Sequence, residues 1–348
     1  MTRQTWTAFV SAFFFVGLAV LLAAMPVPFV SWSPGRTRDT LGSVGSEPII
    51  KVEGTETYPT GGRLDMTVVS VTPSNARLSL PQALQAYWMP HRDTLPRSAV
   101  YAPGQTVEDV EANEINTMKT SQEAAIVAAL RVAGQPVVEM PVVFSVTVGG
   151  PAHNLLMPGD LISAVDGFNT MSQGEVTERV QDHEVGDKIV FDTIRNGVAT
   201  RIIVTAAESS TQSGEPVVGI SLSTGYRYQP KISFDLGQEI GGPSAGLVFA
   251  LAIYDKITEG PLLGDRHVAG TGTIDPTGRV GPIGGIQEKV AGAERAGATI
   301  FLVPADNCGD VAGVQTDLSL VKVASLTEAV TAMQALATDS SAPVPRCG

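Results

Sequence analysis

The chain has 348 residues, with 23 Lys and Arg residues against 35 Asp and Glu residues and a formal net charge of −12. A hydrophobic share of 43% with 17% charged residues is enough to build the cores of about two or three domains, which excludes wholesale disorder. The acidic balance argues against nucleic acid as a partner, because a phosphate-binding surface needs clustered Lys and Arg residues.

An apolar segment lies at the start of the chain. Residues 8–30 are almost wholly apolar, and no charged side chain occurs between Arg3 and Arg36. A helix of that length would measure about 34 Å, and the hydrocarbon core of a bilayer is about 30 Å thick. We therefore predict an N-terminal membrane anchor, a transmembrane helix within residues 1–35. A cleaved signal peptide is the alternative.

Residues 36–135 are predicted to hold a linker and a small α/β region. The stretch 31–62 is rich in Gly, Ser, Pro and Thr, which is typical of a linker or an irregular cap. Residues 64–71 alternate between apolar and polar side chains and predict one strand. Residues 106–132, with acidic residues early and an Ala-rich run later, predict a long helix.

From residue 136 the pattern changes to short strands and turns. Residues 142–148 predict a strand, residues 173–181 a short helix, and Asn196-Gly197 a two-residue hairpin turn. Three short patterns follow one another here: Gly150-Pro151-Ala152, Pro158-Gly159-Asp160 and Val165-Asp166-Gly167. Together they resemble a PDZ domain of the kind attached to bacterial proteases, over residues 136–207.

The PDZ resemblance implies a mainly β domain that binds extended peptides by adding them to a sheet edge. A PDZ domain that only packs against its neighbour is the alternative. Residues 209–215, which follow, are predicted to be a linker.

Ser244 is the first candidate for chemistry. It precedes residues 247–253, which are apolar on every side and so predict a buried helix. The free N–H groups and the dipole at such a helix start favour developing negative charge. The sequence around Ser244 also fits the nucleophile elbow of α/β-hydrolases. That fold needs an acid and a His on later strands, and Asp255, Asp265 and His267 follow too closely to lie there.

Lys289 is the second candidate, one of only seven lysines in the chain. In a predicted helix over residues 286–296 it falls beside the apolar stripe of Ile286, Val290 and Ala293. A lysine is almost never fully buried without a partner, although its stem often lies along apolar surface with the amine in water. Desolvation can lower its pKa enough for the neutral amine to take a proton from a hydroxyl.

A second Ser-x-x-Lys spacing, at Ser319 and Lys322, lies in a strand-like run over residues 318–323. We interpret this spacing as chance.

Several motifs in the C-terminal third agree with one family. They are Gly242-Pro243-Ser244-Ala245-Gly246, Thr271-Gly272, Gly278-Arg279-Val280, residues 282–286 and Glu288-Lys289. This set resembles the proteolytic domain of Lon-type serine peptidases, over residues 216–335. The resemblance implies an α/β (α+β) domain with Ser244 as the nucleophile, Lys289 as the general base and Thr271 bonded to the lysine. It implies no cofactor and no metal. One departure is Gly241, where such sites often have an acidic residue.

The two cysteines, Cys308 and Cys347, predict a disulfide. Cys347 lies in a polar, Pro-rich tail (residues 336–348) where a thiol has no core to fill. Such a bond persists only in an oxidising compartment, which places the bulk of the chain outside the cytoplasm.

The order anchor, PDZ and Lon-like domain, without a Gly-x-x-x-x-Gly-Lys-[Ser/Thr] motif, resembles the ATP-independent, membrane-anchored PDZ-Lon proteins of bacteria. We therefore expect an ATP-independent, extracytoplasmic serine endopeptidase at the cell membrane, with a single membrane span. Its substrates would be unfolded or extended polypeptides, and by analogy it would form a hexameric ring. Two alternatives stay open: a non-catalytic, PDZ-containing scaffold with a vestigial Lon-like domain, and a peptidase that processes only itself.

Overall fold

The computed structural model describes residues 3–237 and 241–347 and consists of two compact units. The first, which we call the split unit, comprises Met1–Gly134 and Pro230–Gly348. The second, the inserted unit, comprises Gln135–Gln229. The inserted unit thus interrupts the split unit in sequence.

The helices and strands are numbered in chain order. The helices of the described residues are α1 (Arg3–Ala24), α2 (Leu80–Trp88), α3 (Arg97–Val100), α4 (Val107–Val132), α5 (Gln173–Gln181), α6 (Gly246–Ile257), α7 (Ile286–Arg295) and α8 (Leu326–Thr338), with a 3₁₀ helix over Ala305–Val311. The strands before the inserted unit are β1 (Pro26–Val27), β2 (Phe29–Pro34), β3 (Arg38–Asp39), β4 (Ser43–Val44), β5 (Glu47–Pro48), β6 (Ile50–Glu53), β7 (Arg63–Met66), β8 (Val69–Val71), β9 (Leu78–Ser79) and β10 (Asp93–Pro96). Those of the inserted unit are β11 (Val138–Val146), β12 (Leu161–Val165), β13 (Phe168–Asn169), β14 (Lys188–Arg195), β15 (Val198–Thr205), β16 (Ala207–Glu208), β17 (Pro216–Val217) and β18 (Ile220–Arg227). The remaining strands are β19 (Lys231–Phe234), β20 (His267–Gly270), β21 (Thr273–Ile274), β22 (Val280–Gly281), β23 (Ile300–Pro304) and β24 (Ser319–Val323).

The main sheet of the split unit has the order β24-β23-β20-β7-β3. β7 pairs in parallel with β20, with Leu64 opposite Val268, although about 200 residues separate the two strands. The predicted strand over residues 64–71 is in fact two strands, because β7 joins this sheet and β8 joins another. A segment from the N-terminal region therefore completes the sheet of the C-terminal region.

A second, three-stranded antiparallel sheet has the order β10-β2-β8. β2 places Trp32 opposite Asp93 of β10 and opposite Val71 of β8. The prediction that residues 31–62 form a linker or an irregular cap was wrong, because this stretch contains β3–β6 and most of β2. Its strands are only two to six residues long, so their partners, and not local pattern, define them.

α4 confirms the long helix predicted over residues 106–132. It begins at the N-cap Thr106, whose hydroxyl accepts the N–H of Asp109 at 3.1 Å while the Asp109 carboxylate accepts the N–H of Thr106 at 3.0 Å. The first half of the helix is mostly exposed, whereas the Ala-rich run from Ala124 to Leu130 is buried. The second half packs against α6.

α1 is apolar and fully outside the core. Its 22 residues have a mean hydropathy of 2.3 in the most apolar window, and none of them is buried. By length and composition this helix could cross a membrane, but a signal sequence passes the same test. The chain after α1 is fixed to the start of α2, because β1 pairs with β9 and the N–H of Leu80 donates to the carbonyl of Met25 at 3.3 Å.

The inserted unit is built on the sheet β15-β14-β12-β11-β18, with β13 paired to β12. Its core contains Ile162, Ile189 and Phe191, all of which are fully buried. The hairpin predicted at Asn196-Gly197 is confirmed between β14 and β15, and both turn residues have positive φ, 52° and 80°. α5 confirms the helix predicted over residues 173–181.

The inserted unit is longer than the range 136–207 predicted for a PDZ domain. β18 pairs along the length of β11, which adds residues beyond 207 to the unit. Residues 209–215, predicted as a linker, are the turn between the paired strands β16 and β17.

The C-terminal tail is tied to the split unit. Cys308 and Cys347 form the predicted disulfide, with 5.1 Å between their Cα atoms. The N–H of Cys347 donates to the carbonyl of Leu320, and the N–H of Lys322 donates to the carbonyl of Pro345. The tail thus continues the sheet at the edge of β24.

Candidate active site

The turn that carries Ser244 leads directly into α6. Ser244 is half-buried and lies two residues before Gly246, the first residue of the helix. Ten of the twelve residues of α6 are buried, which confirms the predicted buried helix. The N–H groups of Gly246 and Leu247 donate to the carbonyls of Pro243 and Gly272, at 3.4 and 3.1 Å. Those of Ser244 and Ala245 donate to no residue in the described part of the chain.

The main chain of Ser244 is held by the segment that follows β20. The hydroxyl of Thr271 donates to the carbonyl oxygen of Ser244 at 2.9 Å. The N–H of Gly272 donates to the same oxygen at 2.8 Å. Two donors therefore fix the position of this carbonyl.

Lys289 is the fourth residue of α7 and is buried, with 2% of its surface exposed. Its ammonium donates to the Thr271 hydroxyl at 3.1 Å. Thr271, which is completely buried, thus contacts both the lysine amine and the main chain of Ser244. The structure brings together the three residues that the sequence singled out.

Burial changes the acid–base chemistry of Lys289. It lowers the pKa of this amine from 10.5 to about 8, while the neighbouring charge of Glu288 acts in the opposite direction. At pH 7 roughly one molecule in ten then carries a neutral amine, against about one in 2,500 for an ordinary lysine. Lys289 is therefore able to act as a base near neutral pH.

Glu288, beside the lysine, is also buried, with 1% of its surface exposed. Burial raises the pKa of its carboxyl group, and the nearby carboxyl group of Asp93 raises it further. Its Oε2 atom has no hydrogen-bond partner in the described part of the chain. The electrostatic field at Lys289 thus depends on a carboxyl group that is itself poorly solvated.

The turn before α7 is clamped from two sides. Asn307, which is buried, accepts the N–H of Ile283 at 2.9 Å and donates to its carbonyl at 3.0 Å. On the other side the indole of Trp32 covers Gly284 and Gly285, and a Cβ atom at Gly285 would lie 2.9 Å from it. Gly285 has φ of 67°, which suits glycine. These contacts fix the start of the helix that carries Lys289.

α4 forms a wall beside the Ser244 turn. The hydroxyl of Ser121 donates to the carbonyl of Pro243 at 2.9 Å, and the N–H of Gly242 donates to the carbonyl of Glu114 at 3.3 Å. A Cβ atom at Gly241 would lie 2.8 Å from the Cβ of Glu114. The space that a side chain at position 241 would occupy is thus taken by Glu114.

A cavity of about 690 Å³ opens beside Gly241. It is lined by strand β8, by the acidic turn of α4 and by Gly241. The lining residues of these two elements include Val69, Val71, Glu111 and Glu114. β8 is an edge strand of its sheet. The cavity is large enough for several side chains of an extended polypeptide.

Sequence reasoning missed three of these residues. Trp32 lies in the stretch that we predicted to be a linker, and Glu114 lies in a region to which we gave no role. Asn307 was also given no role. The one sequence signal for Asn307 is its residue type, because a buried amide side chain requires hydrogen-bond partners for both its oxygen and its nitrogen.

The residues of two alternatives rejected above, the α/β-hydrolase triad and the second Ser-x-x-Lys spacing, have other positions in the fold. The Nε2 atom of His267 is 2.9 Å from the carboxylate of the buried Asp65, which also accepts from Arg63 and Thr37. His267 thus belongs to a structural network and not to a triad with Ser244. Ser319 and Lys322 both lie on β24, and an odd separation along a strand places their side chains on opposite faces.

No group of three or more His, Cys, Asp and Glu side chains suited to a metal ion occurs within residues 3–237 and 241–347.

A family match covers the three candidate catalytic residues of this site. Residues 238–336 match the family described as the Lon protease (S16) C-terminal proteolytic domain. Lon protease 1 of Sorangium cellulosum is 44% identical over 93 residues, which is 26% of this chain and 11% of that protein. Lon protease 2 of Thermus thermophilus is 46% identical over 78 residues, 22% of this chain and 9% of that protein. This chain therefore spans only about a tenth of the length of these relatives.

Two solved structures are similar to about a quarter of the chain. The PDZ domain of the SdrC-like protein Lmo2051 from Listeria monocytogenes has 26% sequence identity, covers 24% of this chain and 86% of its own, and gives a TM-score of 0.22. The second domain of the Listeria protein Lin2157 has 27% identity, covers 24% and 83%, and gives the same TM-score.

The family match covers the part of the chain that holds the candidate site. Residues 238–336 are similar to the proteolytic domain of Lon proteases, and both Ser244 and Lys289 lie within this range.

Proposed function

We propose that this protein is a membrane-anchored serine endopeptidase of the Lon type, with Ser244 as its nucleophile and Lys289 as its general base. One observation carries the proposal: the buried amine of Lys289 and the main chain of Ser244 share a single hydrogen-bonding partner, the Thr271 hydroxyl. The family match over residues 238–336 supports it.

The first chemical step transfers a proton between the two side chains. Neutral Lys289 accepts the hydroxyl proton of Ser244 as the oxygen attacks a peptide carbonyl carbon. Negative charge then develops on the carbonyl oxygen of the substrate. The N–H groups of Ser244 and Ala245, which have no acceptor among the described residues, are the donors available for that charge at the start of α6.

The second step releases the first product. The ammonium of Lys289 gives its proton to the leaving amine, the C–N bond breaks, and an acyl ester remains on Ser244. Water then gives a proton to Lys289 and attacks the ester. The bond between the acyl carbon and the Ser244 oxygen breaks, the ammonium of Lys289 returns its proton to that oxygen, and the acid is released. Throughout, Thr271 holds the amine in place, because its own proton is directed to the Ser244 carbonyl. Thr271 is thus a positioning residue.

We further propose that the enzyme works at the cell membrane without ATP. α1, with no buried residue, supports a single span, and the disulfide between Cys308 and Cys347 supports an extracytoplasmic catalytic part. The sequence contains no phosphate-binding loop of the Walker type. Its substrates would then be unfolded or extended polypeptides, which the inserted unit binds as a PDZ domain. A hexameric ring is the proposed assembly, for which light scattering of the purified protein is the test.

The decisive experiment uses two active-site variants. Ser244→Ala and Lys289→Ala should each abolish cleavage of an unfolded protein while leaving the circular dichroism spectrum unchanged. A serine-reactive fluorophosphonate should label the wild type and not Ser244→Ala. Full cleavage by Ser244→Ala would refute the nucleophile. Absence of both cleavage and labelling in the folded wild type would favour the scaffold alternative.

The location needs a separate test. Alkaline carbonate should leave the protein in the membrane fraction, and intact mass should match a chain that retains α1. External protease should reach the catalytic part in cells whose outer layers have been opened. A mass that lacks α1 would identify a cleaved signal peptide.

A further inference from the structure

The outward face of α2 is apolar. Ala83 and Ala86 point into the split unit and are buried. Leu84, Tyr87 and Trp88 point outward, and Tyr87 and Trp88 are 70% and 74% exposed. Positions 84, 87 and 88 share one face of a helix, so these side chains form a single patch, which we call the α2 patch.

The α2 patch is continuous with the surface of α1. Both helices line one cavity of about 610 Å³, to which α1 contributes Ala19, Leu22 and Ala23 and α2 contributes Leu80, Leu84 and Trp88. The β1–β9 pairing and the hydrogen bond from Leu80 to Met25 fix α2 beside the end of α1. A molecule or a bilayer that covers the end of α1 therefore also contacts the α2 patch.

A lipid bilayer is the covering that fits both helices. α1 has the length and apolar composition for a bilayer core, whereas α2, with 9 residues, is too short to span. Trp and Tyr side chains favour the depth of the lipid headgroups. Arg77 and Arg92, both exposed, flank α2 in sequence, and basic side chains at that depth are attracted to anionic lipids.

We propose that α2 is an interfacial helix that lies in the headgroup region of the bilayer crossed by α1, with Leu84, Tyr87 and Trp88 among the lipids. The proposal rests on the membrane anchoring proposed above for α1. The interfacial helix attaches the protein to the membrane at a second point beside α1, which a single flexible tether would not do.

This second attachment fixes the catalytic cleft near the bilayer. α2 packs against β2 and β10, and β2 carries Trp32, which covers the turn before Lys289. One sheet thus separates the lipid-facing helix from the helix of the proposed base. The substrates this arrangement favours are polypeptide segments that emerge from the membrane or lie along its surface.

The test measures the depth of Trp88 in the full-length protein. The chain has three tryptophans, so the Trp6→Phe variant leaves Trp32 and Trp88, and Trp6→Phe with Trp88→Phe leaves the Trp32 background. The variants are reconstituted in liposomes of phosphatidylcholine and phosphatidylglycerol, with part of the lipid brominated either near the headgroup or near the chain end. Trp88 should be quenched at least about twofold more by the bromines near the headgroup, the depth that indole favours.

A matched control reports ordinary exposure to water. Phe144 is 70% exposed in the inserted unit, so Phe144→Trp in the background without Trp6 and Trp88 places an indole on a water-exposed surface. Acrylamide should quench this indole strongly and Trp88 weakly. Equal quenching of both by acrylamide would overturn the proposal. Shielding of Trp88 from both acrylamide and brominated lipid would also overturn it, in favour of a covering protein such as a second copy.

Two further measurements distinguish failure of the interfacial helix from failure of the membrane anchor and of the peptidase. Carbonate extraction of the same liposomes shows whether α1 is integrated, and fluorophosphonate labelling reports Ser244. An integrated, labelled protein whose Trp88 is not quenched by lipid would disprove the interfacial helix alone. Extraction by carbonate would remove the anchor and this inference together.

Discussion

At the scale of single residues, the proposed chemistry depends on the charge of one amine. Lys289 is buried, and its pKa is lowered to about 8 by that burial, while Glu288 partly opposes the change. A lysine in water would be almost wholly charged at neutral pH and unable to accept a proton. In the proposed mechanism, burial keeps enough of this amine neutral for it to act as a base.

The pH dependence of cleavage follows from this pKa. The amine must be neutral to act, so kcat/KM should rise about tenfold for each pH unit below about 8 and level off above it. The measurement is kcat/KM on an unfolded substrate across pH 6 to about 10. A profile that falls as pH rises through 8 would contradict the role of Lys289 as a base.

Replacing Glu288 should move this profile in a known direction. The charge of Glu288 raises the pKa of Lys289, so Glu288→Gln should shift the rising limb to lower pH. Glu294→Gln, on the same helix, is the matched control, because Glu294 is bonded to Thr316 and Asp317 and not to the site. If the rising limb of the pH profile is unchanged in Glu288→Gln, Glu288 does not affect the pKa of Lys289.

Removing the buried amine should stabilise the fold while it abolishes activity. The pKa of Lys289 is about 8 in the folded protein against an ordinary 10.5, so the unfolded state binds the proton more tightly and stability is lost as pH falls through this range. Lys289→Met should therefore raise the free energy of unfolding at pH 7, by up to roughly 3 kcal/mol. Urea unfolding at pH 7 and at about pH 10.5 is the measurement, and the gain should shrink at the higher pH.

At the scale of elements, two segments from distant parts of the chain hold the turn before α7. Asn307 binds both backbone groups of Ile283, and Trp32 covers the two glycines that follow. A helix start without a side-chain cap, as at Gly285, depends on such external contacts. The position of Lys289 is therefore set by residues that carry no chemistry themselves.

Asn307→Ala tests this clamp. It leaves the N–H and carbonyl of Ile283 unpaired, so the free energy of unfolding should fall by about 2 kcal/mol. Because the lysine helix loses a fixed start, kcat should fall more than about tenfold with little change in KM. The exposed Asn116→Ala is the control and should change neither. An Asn307→Ala enzyme that is destabilised but keeps its kcat would reduce the clamp to a purely structural contact.

The predicted elements were accurate where the local pattern is strong. α4, α5, α6 and the hairpin at Asn196-Gly197 have signals within a few residues: caps, an apolar run or a turn pair. The strands β2 to β6 could not be predicted, because each is short and takes its definition from a partner strand. β7 and β8 fall within the strand predicted over residues 64–71, but the pairing of β7 with β20 could not be predicted.

At the scale of the whole molecule, the site combines the family's own segment with the N-terminal region. Ser244, Thr271 and Lys289 could be proposed from motifs, because residue type and spacing single them out. Glu114 and Trp32 could not be found, because only the fold brings α4 and β2 to the site. Sequence thus predicted the candidate residues of the site but not the residues that surround them.

The absence of a Walker-type motif in the sequence makes a prediction about substrates. An enzyme that works without ATP, as proposed above, should cleave a reduced, alkylated and unfolded protein at least about tenfold faster than the same protein in its native state, whose closed backbone rarely opens. ATP should change neither rate. The measurement is fragment release on gels with and without ATP, with Ser244→Ala as the blank. ATP-stimulated cleavage of the native form would show that an ATPase acts with this chain.

The pairing of β7 between β20 and β3 has a consequence for limited proteolysis. A protease that nicks the exposed segment around Gln212 would yield two fragments on a denaturing gel, and the disulfide would not join them, since Cys308 and Cys347 both belong to the later fragment. Under native conditions the fragments would still migrate as one particle, because β7 and α4 of the earlier fragment are built into the sheet and helix layer of the later one.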